Sequence, residues 1–200
     1  MLEQRIEQHF IDSADLSYQA AQLLGKPLAA AVQALLVCVT SGGKVLACGN
    51  GGCAALAQYF AGAFVGRFER DRPELAAIAL SADEPTRTAL ASEQGFVAAC
   101  ARQVRALGNA GDVLLVLSTD GQCMNLHAAI GAAHEREMVV VGVMGHGGGR
   151  MAQLMRDTDV RIDIPHERAA RVLELQLLAL HCLCDAVDTQ LLGEQEEATP

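Results

Sequence analysis

Two short segments of this 200-residue chain hold residue types that can grip an anion. The first, Cys48-Gly49-Asn50-Gly51-Gly52-Cys53, follows an apolar run and leads into a helix-like stretch. Its glycines let the backbone approach a ligand and open a helix N-terminus onto it. The second, Leu117-Ser118-Thr119-Asp120-Gly121-Gln122, also follows an apolar run and sets two hydroxyls before a glycine. Taken singly, the first fits a tight strand-to-helix turn as well as a ligand loop. The second fits a hydroxyl-rich helix cap equally well.

Such loops need a scaffold, and the apolar runs supply one. Lys44–Cys48, Leu75–Leu80, Val113–Leu117, Met138–Val143 and Val160–Ile164 are each four to eight residues long. Most read as buried parallel strands; LAAIAL suits a helix equally well. The segments between them are long enough for helical crossovers. The pattern predicts an α/β fold: a doubly wound, five-stranded parallel sheet, flavodoxin-like. Two helices precede it, Leu2–Leu24 and Pro27–Thr40, with Gly25 and Pro27 marking a break, and Ser41-Gly42-Gly43 turns into the first strand. A long helix, Glu167–Leu192, closes the chain, its apolar positions covering more than one face. Residues 1–193 form one domain on this reading, and the acidic stretch 194–200 is a disordered tail.

The formal net charge is −9, which argues against direct nucleic-acid binding. No uninterrupted apolar run approaches the roughly 18–20 residues that span a bilayer. The charged opening MLEQRIEQHF is unlike a secretory signal, and seven scattered cysteines with no C-x-x-C pair read as reduced thiols. A cytoplasmic protein is expected. His127, His134, His146 and His166 lack a partner at metal-like spacing and are read as surface residues.

The segments GNGGCAALAQYFAGAFVGRF, RPELAAIAL, ARQVRALGNAGDVLLVLSTDGQ and RAARVLELQLLALHCLCD resemble the phosphoheptose isomerase group of sugar-isomerase (SIS) domains. The likeness runs from about Leu2 to Leu192. It implies a homotetramer and, in true isomerases, proton transfer at a zinc-containing site. The family's metal and base positions correspond to Tyr59, Ala63, Leu173 and His181 in this chain. Of the family's His, Glu, Gln and His at these places only His181 is retained. An alanine can neither bind zinc nor accept a proton. The resemblance therefore implies no catalytic residue, no metal ligand set and no cofactor. Its implied phosphosugar pocket comprises Asn50, Gly51, Gly52, Cys53, Ser118, Thr119 and Asp120, binding weakly because Asp120 and Cys53 replace serines.

The segment Phe68-Glu69-Arg70-Asp71-Arg72-Pro73 and the run Cys182-Leu183-Cys184-Asp185 are similar to the branch that associates with the replication initiator DnaA. That likeness implies a non-catalytic scaffold regulating chromosome replication initiation. Leu191 and Leu192, an apolar pair directly before Gly193 and the acidic run 194–197, are read as part of the partner-binding surface, or equally as a contact with another subunit. The alternatives are a phosphoheptose isomerase, interconverting sedoheptulose 7-phosphate and a heptose phosphate, and a phosphosugar-binding sensor.

Overall fold

A computed structural model describes residues 1–193. The expected tail, 194–200, lies outside them. Five parallel strands form one sheet in the order β2-β1-β3-β4-β5. They are β1 (Val45–Cys48), β2 (Ala77–Ala79), β3 (Val113–Ser118), β4 (Val139–Gly145) and β5 (Val160–Ile164). The helices are α1 (Leu2–Thr40), α2 (Gly52–Val65), α3 (Glu84–Gln94), α4 (Phe96–Leu107), α5 (Met124–Glu135), α6 (Gly149–Leu154) and α7 (Ala169–Leu192).

The strands lie where the apolar runs place them. Central β3 is buried along its whole length, as an apolar strand covered on both faces must be. Edge strand β2 shrinks to three residues, because Ala77 and Ile78 stay partly open and only one neighbour pairs with it. One apolar layer packs α1, α2 and α7 against a face of the sheet. Residues of α4, α5 and α6 cover the other.

The N-terminal pair of helices is in fact one helix of 39 residues with Pro27 inside it. Proline removes one backbone donor at a cost of about 3 kcal/mol. The buried stripe Leu16, Ala20, Leu24, Ala31, Val32, Leu35 and Cys38 nevertheless stays in phase across it. Packing of that stripe on α7 and the sheet offsets the local penalty.

This helix also corrects the hydropathy reading. An 18-residue window of α1 is apolar enough to cross a bilayer by length and composition. In the fold, α1 is a domain helix: its buried side rests on α7, β5, β1 and β3. Its other side leaves Leu2, Ile6, Phe10, Ile11, Tyr18, Leu23 and Val37 exposed.

Candidate functional site

Sheet order reverses between β1 and β3, where open α/β sheets bind ligands beyond the strand ends. The loops at 49–51 and 119–123 occupy that switch point. Reciprocal amide bonds of 2.9 Å tie them together, Asn50 to Asn125. Asn50, Cys53, Ser118, Thr119 and Cys123 line a pocket of about 50 Å³ between them. Its size suits a phosphate group rather than a whole sugar.

Glycine is required at Gly121. Its φ is +67°, and a Cβ there would sit 1.9 Å from the carbonyl oxygen of Gly148. The β3 loop is thereby pressed against the Gly-rich turn that follows β4. His127 braces the same loop through Nε2 against the Gly121 carbonyl, at 2.8 Å.

Several expected pocket side chains serve the loops themselves. The Ser118 hydroxyl accepts the Gly121 N–H at 2.9 Å. The Cys53 thiol donates to Gln176 Oε1 at 3.3 Å. Burial pushes that thiol up to about 11, so it stays neutral. Asn50 is engaged by Asn125. Thr119 lines the pocket without such bracing, whereas Gly51, Gly52 and Asp120 of the expected set are not among its lining residues.

Asp120 is exposed, and its Oδ1 accepts the Gln122 N–H at 3.0 Å, an Asx turn rather than a cap on α5. A serine can form the same turn without the charge. A carboxylate about 4 Å from a phosphate costs on the order of 1 kcal/mol in a watery surrounding. Asp120→Ser is therefore expected to tighten phosphosugar binding about fivefold at low salt, measured by calorimetry. Equal affinity of the two proteins would show that the carboxylate points away from the ligand.

About two turns along α2, a second and larger cavity of about 580 Å³ opens. Gln58, Tyr59, Gly62, Ala63, Arg67, Phe68, Glu69 and His181 line it. The His181 ring lies between Tyr59, edge-on at 5.5 Å, and Phe68 at 5.4 Å. Partial desolvation, then Cys184 and Glu69, raise the Tyr59 phenol above its ordinary range. Leu173 does not face this cavity group; it packs on Gly52, where an added Cβ would meet Leu173 Cδ1 at 2.9 Å.

These residues do not compose a zinc site. Ala63 and Leu173 have no donor atom, and His181 alone cannot supply the three protein ligands a catalytic zinc needs. No cluster of three or more His, Cys, Asp or Glu side chains suited to a metal occurs among the described residues.

One residue, Gln176, escaped the sequence reading, and two others, Arg72 and Glu69, entered it only as members of the scaffold-like segment. Gln176 is fully buried and donates to the carbonyls of Ser118, at 3.0 Å, and Val143, at 2.9 Å, while receiving Cys53. It locks α7 to α2, β3 and β4. Arg72 is also buried, paired with Asp188 and bonded to the carbonyls of Ala63 and Phe64 at 2.8 Å. Glu69 was placed in the scaffold-like segment rather than in a cavity. Among the histidines, His134 is no surface residue. It is nine-tenths buried and bonded through Nε2 to Asp159 Oδ2 at 2.8 Å. His127 is half-buried in its loop-bracing role. Leu191 and Leu192, 37% and 41% exposed, line a cavity of about 340 Å³ with Val39, Thr40, Pro73 and Leu75 of the same chain.

A five-stranded parallel sheet in the order 2-1-3-4-5, with two loops joined at its switch point, defines a doubly wound α/β domain. The chain belongs to the SIS domain family, whose sequence pattern matches residues 9–145, and within it to the phosphoheptose isomerase group. It is 60% identical over 196 residues to the phosphoheptose isomerase of Methylibium petroleiphilum, covering 98% of both chains. It is 49% identical to that of Azoarcus sp., covering 96% of this chain and 98% of the relative. The solved phosphoheptose isomerase GmhA of Neisseria gonorrhoeae superposes with a TM-score of 0.90 at 42% identity. That match covers 94% of this chain and 100% of the other. The enzyme from Francisella tularensis gives 0.92 at 37% identity, covering 94% and 99%.

This likeness overturns the scaffold reading. Relatives at 45–60% identity over nearly the whole chain bear the isomerase name, and none of these findings supports binding of the replication initiator. Loss of metal ligands argues against one route of catalysis. It carries no information about a protein partner.

Proposed function

We propose that this chain is a phosphoheptose isomerase, interconverting sedoheptulose 7-phosphate and a heptose phosphate. The observation that carries the reading is the near full-length likeness to phosphoheptose isomerases, with the phosphate-sized pocket and the ionisable cavity on one helix. From Gly52 to Tyr59, α2 advances about 10 Å at 1.5 Å per residue. That is on the order of the length of an extended seven-carbon sugar phosphate.

The reaction removes a proton from C1 of the ketose, passes through an enediol and returns a proton to C2. Ala63 cannot take part. His181 is the proton carrier on this reading, held between Tyr59 and Phe68, and Glu69 supplies the carboxylate of the same cavity. No step is assigned to a metal, because the side chains present do not fit one.

A second reading, a phosphosugar-binding sensor without turnover, is favoured by one observation: Ala63 stands where the family has its base. Incubation with sedoheptulose 7-phosphate, followed by product analysis and calorimetry, separates the two. Binding with turnover supports the isomerase, and binding without turnover supports the sensor. Absence of binding removes both.

A cytoplasmic homotetramer belongs to the same proposal. All seven cysteines are free thiols, in keeping with a reducing compartment. The exposed apolar side of α1, and Leu178 on α7, are surfaces that a second copy would cover. Light scattering at micromolar concentration is expected to give four times the chain mass. A monomer mass would end the assembly proposal.

A further inference from the structure

The small pocket between the two loops is tied on both sides. On the side of α4 and α5 the tie is the Asn50–Asn125 amide pair, with the Cys100 sulfur 3.7 Å from Asn125 Nδ2. On the opposite side the tie comes from α7 and passes through one side chain. Gln176 is fully buried and is not among the residues lining the pocket, yet it bonds two that are. Its Nε2 donates to the Ser118 carbonyl at 3.0 Å, and its Oε1 receives the Cys53 thiol at 3.3 Å.

The amide can sit in only one direction. The Ser118 and Val143 carbonyls accept and cannot donate, so the NH2 end must face them. The oxygen end is left for Cys53, whose thiol keeps the hydrogen this bond needs. The bond to Val143 fixes the amide on β4, so the Cys53 and Ser118 walls are both held by one planar group. Ser118 passes the constraint on: its hydroxyl accepts the Gly121 N–H and closes the turn that carries Thr119.

Two neighbours of Gln176 on α7 also press on the loops. Val172, one turn earlier, packs on Gly145, where an added Cβ would lie 2.5 Å from Val172 Cγ2 and 2.6 Å from the Thr119 carbonyl oxygen. Leu173 packs on Gly52 in the same way. Each of these is an apolar contact with one side of the pocket. Gln176 alone of the three bonds both.

We propose that Gln176 is a positioning residue of the ligand site: it sets the separation of the Cys53 and Ser118 walls, and through it the affinity for the phosphate end of a phosphosugar. This role rests on the reading of the pocket as a phosphate site.

Methionine at this position fills nearly the same space and makes none of the three bonds. A pocket of about 50 Å³ leaves little slack. Misplacing a positioned group by about 1 Å can cost on the order of 10²-fold in rate, and a looser pair of walls is expected to cost about tenfold in affinity. A buried amide that served stability alone would leave affinity unchanged.

The test therefore compares Gln176→Met with Val187→Ala, which removes packing from the same apolar layer further along α7. Urea denaturation measures the stability of each variant. Calorimetry measures binding of sedoheptulose 7-phosphate and its displacement by inorganic phosphate. Gln176→Met is expected to bind both about tenfold more weakly, with kcat at saturation within about threefold of wild type. Val187→Ala is expected to lose stability and keep its affinity within about twofold. Should Gln176→Met not fold, Gln176→Asn, which keeps the amide but shortens its reach by one methylene, is judged by the same readings. Wild-type affinity in the Gln176 variant would overturn the positioning role while leaving the phosphate site standing. Equal losses of affinity in the Gln176 and Val187 variants would overturn it too, since general loosening would then explain both. A wild-type protein that binds neither sedoheptulose 7-phosphate nor inorganic phosphate would refute the phosphate site itself, and the role of Gln176 with it.

Discussion

Arg72→Ala will destabilise the fold by about 3–5 kcal/mol, more than removal of any surface ion pair. The guanidinium lies on the segment between α2 and β2 with its side chain 1% exposed, and Asp188 on α7 is 2% exposed. It meets Asp188 through Nε, donates to the Phe64 and Ala63 carbonyls at 2.8 Å, and reaches the Pro73 carbonyl at 3.1 Å. Those first two carbonyls belong to the last turn of α2, whose acceptors have no partner within the helix. Alanine at position 72 therefore strands a buried carboxylate and the Ala63 carbonyl at once, while the Phe64 carbonyl keeps the Leu75 N–H at 3.0 Å. Asp188 Oδ2 already lacks a hydrogen-bond partner, so nothing local compensates. Urea denaturation followed by circular dichroism measures the loss. The double change Arg72→Met with Asp188→Leu is expected to recover most of it, because two apolar side chains leave no charge unpaired. A single-variant cost below about 1 kcal/mol would mean that water reaches Asp188 and that the pair is not a structural tie.

The sheet was legible because its inner strands β1, β3 and β4 are buried on both faces, which leaves unbroken apolar runs such as Val113–Leu117. The N-terminal helix was misjudged for a different reason. Pro27 is a local breaker, whereas the phase of Leu24, Ala31 and Leu35 on one buried face is a tertiary fact. Local chemistry announces the first and conceals the second. His134 and Asp159 illustrate the same gap, since their bond spans 25 residues of sequence that the fold closes.

At the candidate site, the places of the two loops after β1 and β3 were legible from their glycines and hydroxyls, but the Asn50–Asn125 pair that ties them together was not. That Ser118 and Cys53 spend their polar groups on the protein itself was not. Gln176 did leave a signal: a lone amide in the run LELQLL, one residue after Leu175 and three before Ala179, both on the buried face. A polar group placed there must find buried partners, and Ser118 and Val143 provide them. The inference from Tyr59, Ala63 and Leu173 to an inert scaffold failed at a definable step. Those residues remove a metal-borne route, but His181 and Glu69 still place an imidazole and a carboxylate in one cavity.

His181→Ala is expected to lower kcat for sedoheptulose 7-phosphate by roughly 10²- to 10⁴-fold, the usual contribution of a positioned proton carrier. On the isomerase reading the substrate's phosphate is held some two turns of α2 away, at the Gly51–Gly52 and Thr119 loops. Binding of sedoheptulose 7-phosphate measured by calorimetry should therefore change only a few-fold. That split, a large loss in kcat with little in affinity, distinguishes proton transfer from mere packing of the ring between Tyr59 and Phe68. Glu69→Gln keeps the size of the side chain and removes its charge, and is expected to lower kcat by a comparable factor. On the proposed reading both groups serve one proton path, and the double variant should then lose little more than either single one. Tyr59→Phe preserves the edge-on ring contact and is expected to cost about tenfold or less. A His181→Ala enzyme within tenfold of wild type would show that another group carries the proton. Losses at His181 and Glu69 that multiply would show that the two act on separate steps rather than as one relay.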